Sequence, residues 1–286
     1  MKRVKGGWAL TKTSWRVLRE HEGLMRYPIL AAVAAIGITV CVAFPGVIAL
    51  LVGLDPDVES VPLAIAGGVA LVAGVYLAVV VTVRHAVMLA ASTDAVFSGA
   101  SDPIARAKEV TRSRRRAIFG WALMSILVGV VLNVLDSIRG VSTLLSALLG
   151  IAWGLVTFLA IPVVAFEGTG PIETVKRSGQ VFRERWQGQV SGQVAIGSIV
   201  GLVGFLPAFV VIGVGIWIAT GDAFDGSVRV GLGLVGFGLL VALVASIILV
   251  ALRGVFGVAL YRFAGTGEAV GPFTADELQR SVQVSG

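Results

Sequence analysis

Charge is scarce in this sequence, with Asp, Glu, Lys and Arg at 14% of 286 residues, where a soluble domain carries about 25%. That shortfall excludes an ordinary soluble surface. With 56% hydrophobic residues and a mean hydropathy of +0.92, it places the chain in a membrane. Cysteine is nearly absent: Cys41 stands alone inside an apolar run, which excludes a disulfide framework and every cysteine-based metal centre. Histidine is limited to His21 and His85, too few for a zinc site. Nucleophilic triads, phosphate-cradling loops and clustered carboxylates do not occur as motifs, so neither an enzyme, nor a cofactor, nor a metal is expected. A nucleic-acid partner is not expected either.

What is present is apolar sequence in long runs. Six stretches, 29–53, 63–83, 117–135, 143–166, 192–219 and 230–252, each suit a hydrocarbon core about 30 Å thick, which takes about 20 helical residues to cross. They are rich in Val, Leu, Ala and Gly and show no period-two alternation, so helices are expected and a barrel is not. The fold class is all-α: a polytopic membrane protein of six transmembrane helices, forming a single integral membrane domain over residues 1–286.

The links divide by charge. Those at 54–62, 136–142 and 220–229 hold Asp55, Asp57, Glu59, Asp136, Asp222 and Asp225 but only Arg139 and Arg229 among basic residues. The other 21 of the 23 Lys and Arg fall in the N-terminal stretch, in 84–116, in 167–191 and after the last span, from Arg253 on. This positive-inside pattern predicts that both termini are cytoplasmic. The basic N-terminal region and the long apolar run after it do not match a cleavable signal peptide.

A threefold repeat runs through the even spans. Each leads into Phe-x-Gly, at Phe97-Ser98-Gly99, Phe166-Glu167-Gly168 and Phe263-Ala264-Gly265, and each is followed by a proline, Pro103, Pro171 or Pro272. Glycine just past a helix end and proline in the first turn of the next helix read as stop, link and start. Lys108 and Arg115, Lys176 and Arg183, and Lys12 and Arg19 share a seven-residue spacing. With one apolar face, these segments read as basic interfacial helices preceding three pseudo-repeated hairpins. The units are approximately 1–99, 100–168 and 169–265, with 266–286 as a cytoplasmic tail, and parallel repeats imply an axis along the membrane normal. The second copy departs from the pattern, with Arg114 in the place of Phe182.

Trp8-Ala9-Leu10-x-Lys12-x-Ser14-Trp15-Arg16-Val17-Leu18-Arg19 and Tyr27-Pro28-Ile29-Leu30 open the chain. Further along come Phe119-Gly120-Trp121-Ala122, Ala152-Trp153-Gly154-Leu155-Val156-Thr157-Phe158, and Glu167-Gly168-x-Gly170-Pro171-Ile172-Glu173-x-x-Lys176-Arg177-Ser178. In these motifs nearly the whole chain resembles an uncharacterised prokaryotic family of six-span membrane proteins, domain of unknown function 6159. The resemblance implies a prokaryotic cytoplasmic membrane and carries over no activity. Pro171-x-Glu173-x-x-Lys176 also matches the short mitochondrial-carrier signature. Here, however, the proline follows the even span, whereas in carriers it kinks the odd one, and Pro103 leads to Ala105 rather than an acid.

The spans hold no ionisable side chain near their middle, where one costs about 2.5 to 3.5 kcal/mol and usually serves transport. Arg84, Arg253, Asp136 and Glu167 fall at span ends, and Thr39, Thr82, Ser125, Thr157, Ser198 and Ser246 are expected to bond their own helix or a neighbour. Small residues four apart, Gly150 and Gly154 and also Gly197 and Gly201, are expected to bring helices close. Gly231, Gly233, Gly236 and Gly238 serve either packing or a loosened helix, and Pro162 and Pro207 are expected to kink. His85 reads as structural.

The expected function is non-enzymatic: a membrane component that organises membrane or supports a partner and grips anionic lipid through Lys12, Arg19, Lys108, Arg112, Arg114, Arg115, Arg116, Lys176 and Arg183. Membrane lipids, preferentially anionic, are the expected partners, with a homo-oligomer or a membrane partner protein left open. The alternative is a transporter or lipid-translocating protein for apolar or neutral solutes.

Overall fold

The apolar runs fold as helices in the computed structural model of the chain. It describes residues 2–137, 149–150, 153–154, 157–186, 204–220, 228–275 and 278, with the side chains of 2–9 and 182–186 outside that description. Ten α-helices follow along the described chain: α1 (Lys2–Glu20), α2 (Arg26–Ile38), α3 (Phe44–Gly53), α4 (Val61–Phe97), α5 (Pro103–Ser113), α6 (Arg115–Ser137), α7 (Ala160–Phe166), α8 (Pro171–Trp186), α9 (Leu206–Thr220) and α10 (Val228–Thr266). Among the described residues there is no strand. Four stretches, Glu22–Gly53, Val61–Phe97, Arg115–Ser137 and Val228–Thr266, are long and apolar enough to cross a membrane. The expected fourth and fifth spans lie partly outside the described residues.

The chain gathers into two compact units, Arg26–Gln187 and Met1–Met25 with Gly188–Gly286. In the first, α2 and α3 form one rod joined by a π-helical segment, Thr39–Ala43. Pro45 explains that widening, because its ring would clash with the carbonyl four residues back at Cys41 and it has no N–H to offer there. Small residues seven apart then seat the rod on α4. A Cβ at Gly74 would stand 2.7 Å from the backbone nitrogen of Ala43, and one at Gly46 2.6 Å from that of Leu71. Gly53 meets Ala64, and Gly67 meets Leu50, in the same way. In the second unit Gly231 and Gly238 of α10, also seven apart, press on Ala219 and Ile212 of α9, while Gly233 and Gly236 face open space. So this glycine-rich turn packs on one side and is lipid-ready on the other.

Among the described residues Gly150 and Gly154 have no neighbour within 4 Å of where a Cβ would stand. Gly197 and Gly201 lie outside the described residues. Pro162 falls one turn after the helix break at Leu159, and Pro207 at the start of α9. The hydroxyls of Thr39, Thr82, Ser125, Thr157 and Ser246 each donate to the carbonyl four residues back in their own helix, at 2.8 Å. Ser198 is outside the described residues.

Helices α4 and α10 outrun a bilayer. With 37 and 39 residues they extend about 55 and 58 Å at 1.5 Å per residue. In the apolar part of α4, Ile65, Val69 and Val72 are exposed, as a lipid-facing surface requires. Past Val83 the pattern inverts, and every residue from Val87 to Thr93 is buried. Val255 to Leu260 of α10 are likewise buried all round. A helix enclosed on every face for more than a turn is surrounded by other elements, and the short basic helices are among them. α5 packs on α4, α8 on α7, and α1 on α10. Each presents small or hydroxyl-bearing residues to its partner: Ala107 and Thr111, Thr174 and Ser178, Thr13 and Ser14.

The stop-and-start motifs hold in two copies and shift in the third. Gly99 (φ 67°) and Gly168 (φ 68°) take the left-handed conformation after α4 and α7, and Pro103 and Pro171 open α5 and α8. Asp102 caps α5, its Oδ1 accepting from the backbone nitrogens of Ile104 and Ala105 at 3.0 and 2.9 Å. Gly265, expected to stop α10, instead continues it to Thr266, and Gly267 (φ 74°) is the left-handed residue. Pro272 lies in a turn and opens no described helix.

Candidate functional site

Four basic residues converge in the first unit, where α5 and α6 return along α4. A single residue, Arg114 (φ −98°, ψ 14°), separates α5 from α6. The pair returns antiparallel to α4. Two contacts fix the register. Ser92 Oγ donates to the Pro103 carbonyl at 3.0 Å; some four turns away Tyr76 Oη donates to the Phe119 carbonyl at 3.3 Å, with the two rings 6.4 Å apart. Between these contacts lies a cavity of about 640 Å³.

Three helices line it. α4 contributes Val80, Arg84 and Met88, α5 contributes Lys108, Thr111 and Arg112, and α6 contributes Arg115, Ile118 and Phe119. The α4 residues are four apart, and the others recur at three- and four-residue steps, so each set forms one stripe on its helix. The lining is apolar at the Phe119 end and cationic towards Lys108. Arg84 lies 23 positions after Val61, about 34 Å along the axis, just past a hydrocarbon core of about 30 Å. Among the described residues no carboxylate lines the cavity. Among the described residues the ion pairs are elsewhere, Arg106 with Glu109 at 3.1 Å and Arg177 with Glu167 at 3.0 Å.

The expected lipid-binding residues separate on this geometry. Lys108, Arg112 and Arg115 come together. Arg116 is exposed outside the cavity, and Lys176 is exposed on α8. Lys12 and Arg19 are exposed on α1 in the other unit, and the side chain of Arg183 is outside the described residues. Arg114 points away: its Nη2 donates to the Phe166 carbonyl at the end of α7, at 2.9 Å, and its side chain lies against Gly168. It serves as a helix C-cap rather than as a free cation. Reasoning from sequence missed Arg84 and the apolar wall. The available signal was the Val80, Arg84, Met88 stripe, which becomes informative only once the α4 pairing is known.

His85 Nδ1 donates to the Val81 carbonyl at 2.8 Å, an in-helix role. Among the described residues no group of three or more His, Cys, Asp or Glu is placed to hold a metal ion. Motifs far apart in sequence meet beside the cavity's helices: Trp121 stacks on Trp153 with ring centroids 6.1 Å apart, and a Cβ at Gly120 would stand 2.9 Å from Pro171.

A family model described as a family of unknown function, DUF6159, matches residues 68–271. The chain belongs to DUF6159. The match takes in α4 from Gly68 onward and every cavity-lining residue of this DUF6159 protein, from Val80 to Phe119. No curated protein and no solved structure matches it.

Proposed function

We propose that this DUF6159 chain is a non-enzymatic integral membrane protein of a prokaryotic cytoplasmic membrane that binds anionic lipid at the cytoplasmic face and so organises membrane or supports a partner. The observation that carries this reading is the convergence of Arg84, Lys108, Arg112 and Arg115 on one cavity, with no carboxylate lining it among the described residues, where α4 leaves its apolar stretch. Each basic residue near an anionic leaflet contributes on the order of 1 kcal/mol, within a Debye length of about 8 Å at physiological salt.

The chain crosses six times with both termini inside, as three hairpins each joined to a basic helix. The packing supports that repeat. α5 and α8 each lie on the even span that precedes them, and α1 lies on α10. The three pairings are thus cyclically equivalent.

The test is reconstitution in nanodiscs of mixed phosphatidylcholine and phosphatidylglycerol, comparing wild type with a K108Q/R112Q/R115Q variant of unchanged orientation. Co-purifying phosphatidylglycerol should be enriched for wild type, decline as salt is raised, and be reduced in the variant. Equal association for both proteins, at low salt and high, would remove the lipid-binding reading.

A further inference from the structure

We infer that the cavity among α4, α5 and α6 holds one amphiphile whose headgroup phosphate carries two or more negative charges, a phosphomonoester or diphosphate on an apolar chain. The inference rests on the anionic-lipid reading above and narrows it from a charged surface to a single site.

Charge is the first argument. Arg84 reaches the cavity from one wall and Lys108, Arg112 and Arg115 from the other, and among the described residues no acid lines either. Like charges gathered in one concavity repel, so an occupant that restores neutrality gains more than one that leaves most of the charge standing. A phosphodiester brings one negative charge and leaves three cations unanswered. A phosphomonoester brings about 1.5 to 2 at neutral pH, and a diphosphate brings more. Arginine suits this role, because its planar fork bonds two phosphate oxygens at once.

Shape is the second. A cavity of about 640 Å³ lies within the range of roughly 300 to 1,000 Å³ typical of sites for whole small molecules and is larger than a bare phosphate needs. Apart from Thr111 and Met88, the remaining wall is formed by Val80, the buried Ile118 and the half-exposed ring of Phe119 and is apolar. Those residues sit on the side where α4 and α6 enter their apolar stretches. The cations stand where a headgroup phosphate would lie, and the apolar wall leads toward the hydrocarbon. A soluble anion uses the first feature and wastes the second.

The experiment uses the full chain in phosphatidylcholine nanodiscs. Phosphatidic acid, phosphatidylglycerol with the same acyl chains, farnesyl diphosphate and inorganic diphosphate are added separately, and retained ligand is counted by native mass spectrometry. Phosphatidic acid and farnesyl diphosphate should saturate at one per chain, with affinity about ten-fold or more above that of phosphatidylglycerol. Arg84→Gln should weaken them by about ten-fold, Lys108→Gln by about three-fold, and Arg116→Gln by less than about two-fold. Should Arg84→Gln fail to fold, Lys108→Gln, at an exposed position, carries the comparison against Arg116→Gln. Equal retention of phosphatidic acid and phosphatidylglycerol, with the cavity variants indistinguishable from Arg116→Gln, overturns the site while leaving a general attraction to anionic lipid intact. Displacement of the amphiphiles by an equal concentration of inorganic diphosphate also overturns it, assigning the cavity to a soluble anion. Retention of no anionic lipid in any arm overturns this inference and the broader reading together.

Discussion

The guanidinium of Arg114 closes the end of α7 by donating to the carbonyl oxygen of Phe166, 52 positions further along the chain. Gly168 follows in the left-handed conformation, so close that any Cβ there would collide with the same guanidinium. Arg114→Gln is therefore expected to cost on the order of 1 to 2 kcal/mol, the scale of a hydrogen bond to a charged group. Gly168→Ala is expected to cost at least as much, through strain and collision together. Thermal unfolding in detergent measures both. Retention of anionic lipid by Arg114→Gln should match wild type within two-fold, and a large loss would return Arg114 to the lipid-facing set.

Gly67 and Gly68 are adjacent on α4 but face different surroundings. A Cβ at Gly67 meets the backbone of the α3 rod at Leu50, while one at Gly68 finds its nearest atom, Leu50 Cδ1, at 3.9 Å. Gly67→Val should separate the helices and destabilise the unit by roughly 1 to 3 kcal/mol, the usual range for overpacking, while Gly68→Val should be nearly silent. Similar melting temperatures for the two variants would contradict the close approach.

A buried polar chain ties the start of α2 to the α4–α5 link. Ser92 Oγ has one proton, which goes to the Pro103 carbonyl, so the Tyr27 hydroxyl, 2.9 Å away, must donate to Ser92. Arg26 Nη2 in turn donates to Tyr27 at 3.0 Å. Tyr27→Phe should cost about 1 kcal/mol, and Ser92→Ala about 1 to 3 kcal/mol, because the second leaves a buried hydroxyl without an acceptor. A double-mutant cycle should show coupling between them, and strictly additive costs would argue against the chain.

Orientation is read with single cysteines. Cys41 is exposed on an apolar helix and is first replaced by Ser. In intact cells an impermeant thiol reagent should then label Asp57→Cys, in the exposed turn before α4, and should spare Ser113→Cys at the end of α5. The opposite pattern would invert the topology.

The apolar runs were legible as helices because a lipid-facing stretch must be continuous in hydrophobicity, and 63–83 and 230–252 lie inside α4 and α10. Their far ends were not. Hydropathy falls at Arg84 and at Arg253, but helix propensity does not, since Ala86, Ala90, Ala91 and Ala95 continue the α4 rod. Gly265 failed as a stop for a related reason: glycine permits the left-handed turn without enforcing it, and Gly267 takes it instead. Three of the four cavity cations were expected to hold lipid, whereas Arg84 was read only as a span-end residue, because only the antiparallel return of α5 and α6 brings it opposite them. Arg114 was indistinguishable from its neighbours by composition, and one step around a helix, about 100°, sends it to Phe166.

The enclosure of Val87 to Thr93 and of Val255 to Leu260 divides the cohesion of each unit between two solvents. Among lipid tails, helices gain nothing from hiding apolar surface and hold by close backbone contact, as at Gly46 and Gly74. Beyond the apolar stretch the rods meet water, and there the hydrophobic effect acts in full. The basic helices α5 and α1 clasp the rod ends there, and the two kinds of cohesion should fail separately. Urea, acting only from the water, should loosen that clasp and leave the hairpins inserted.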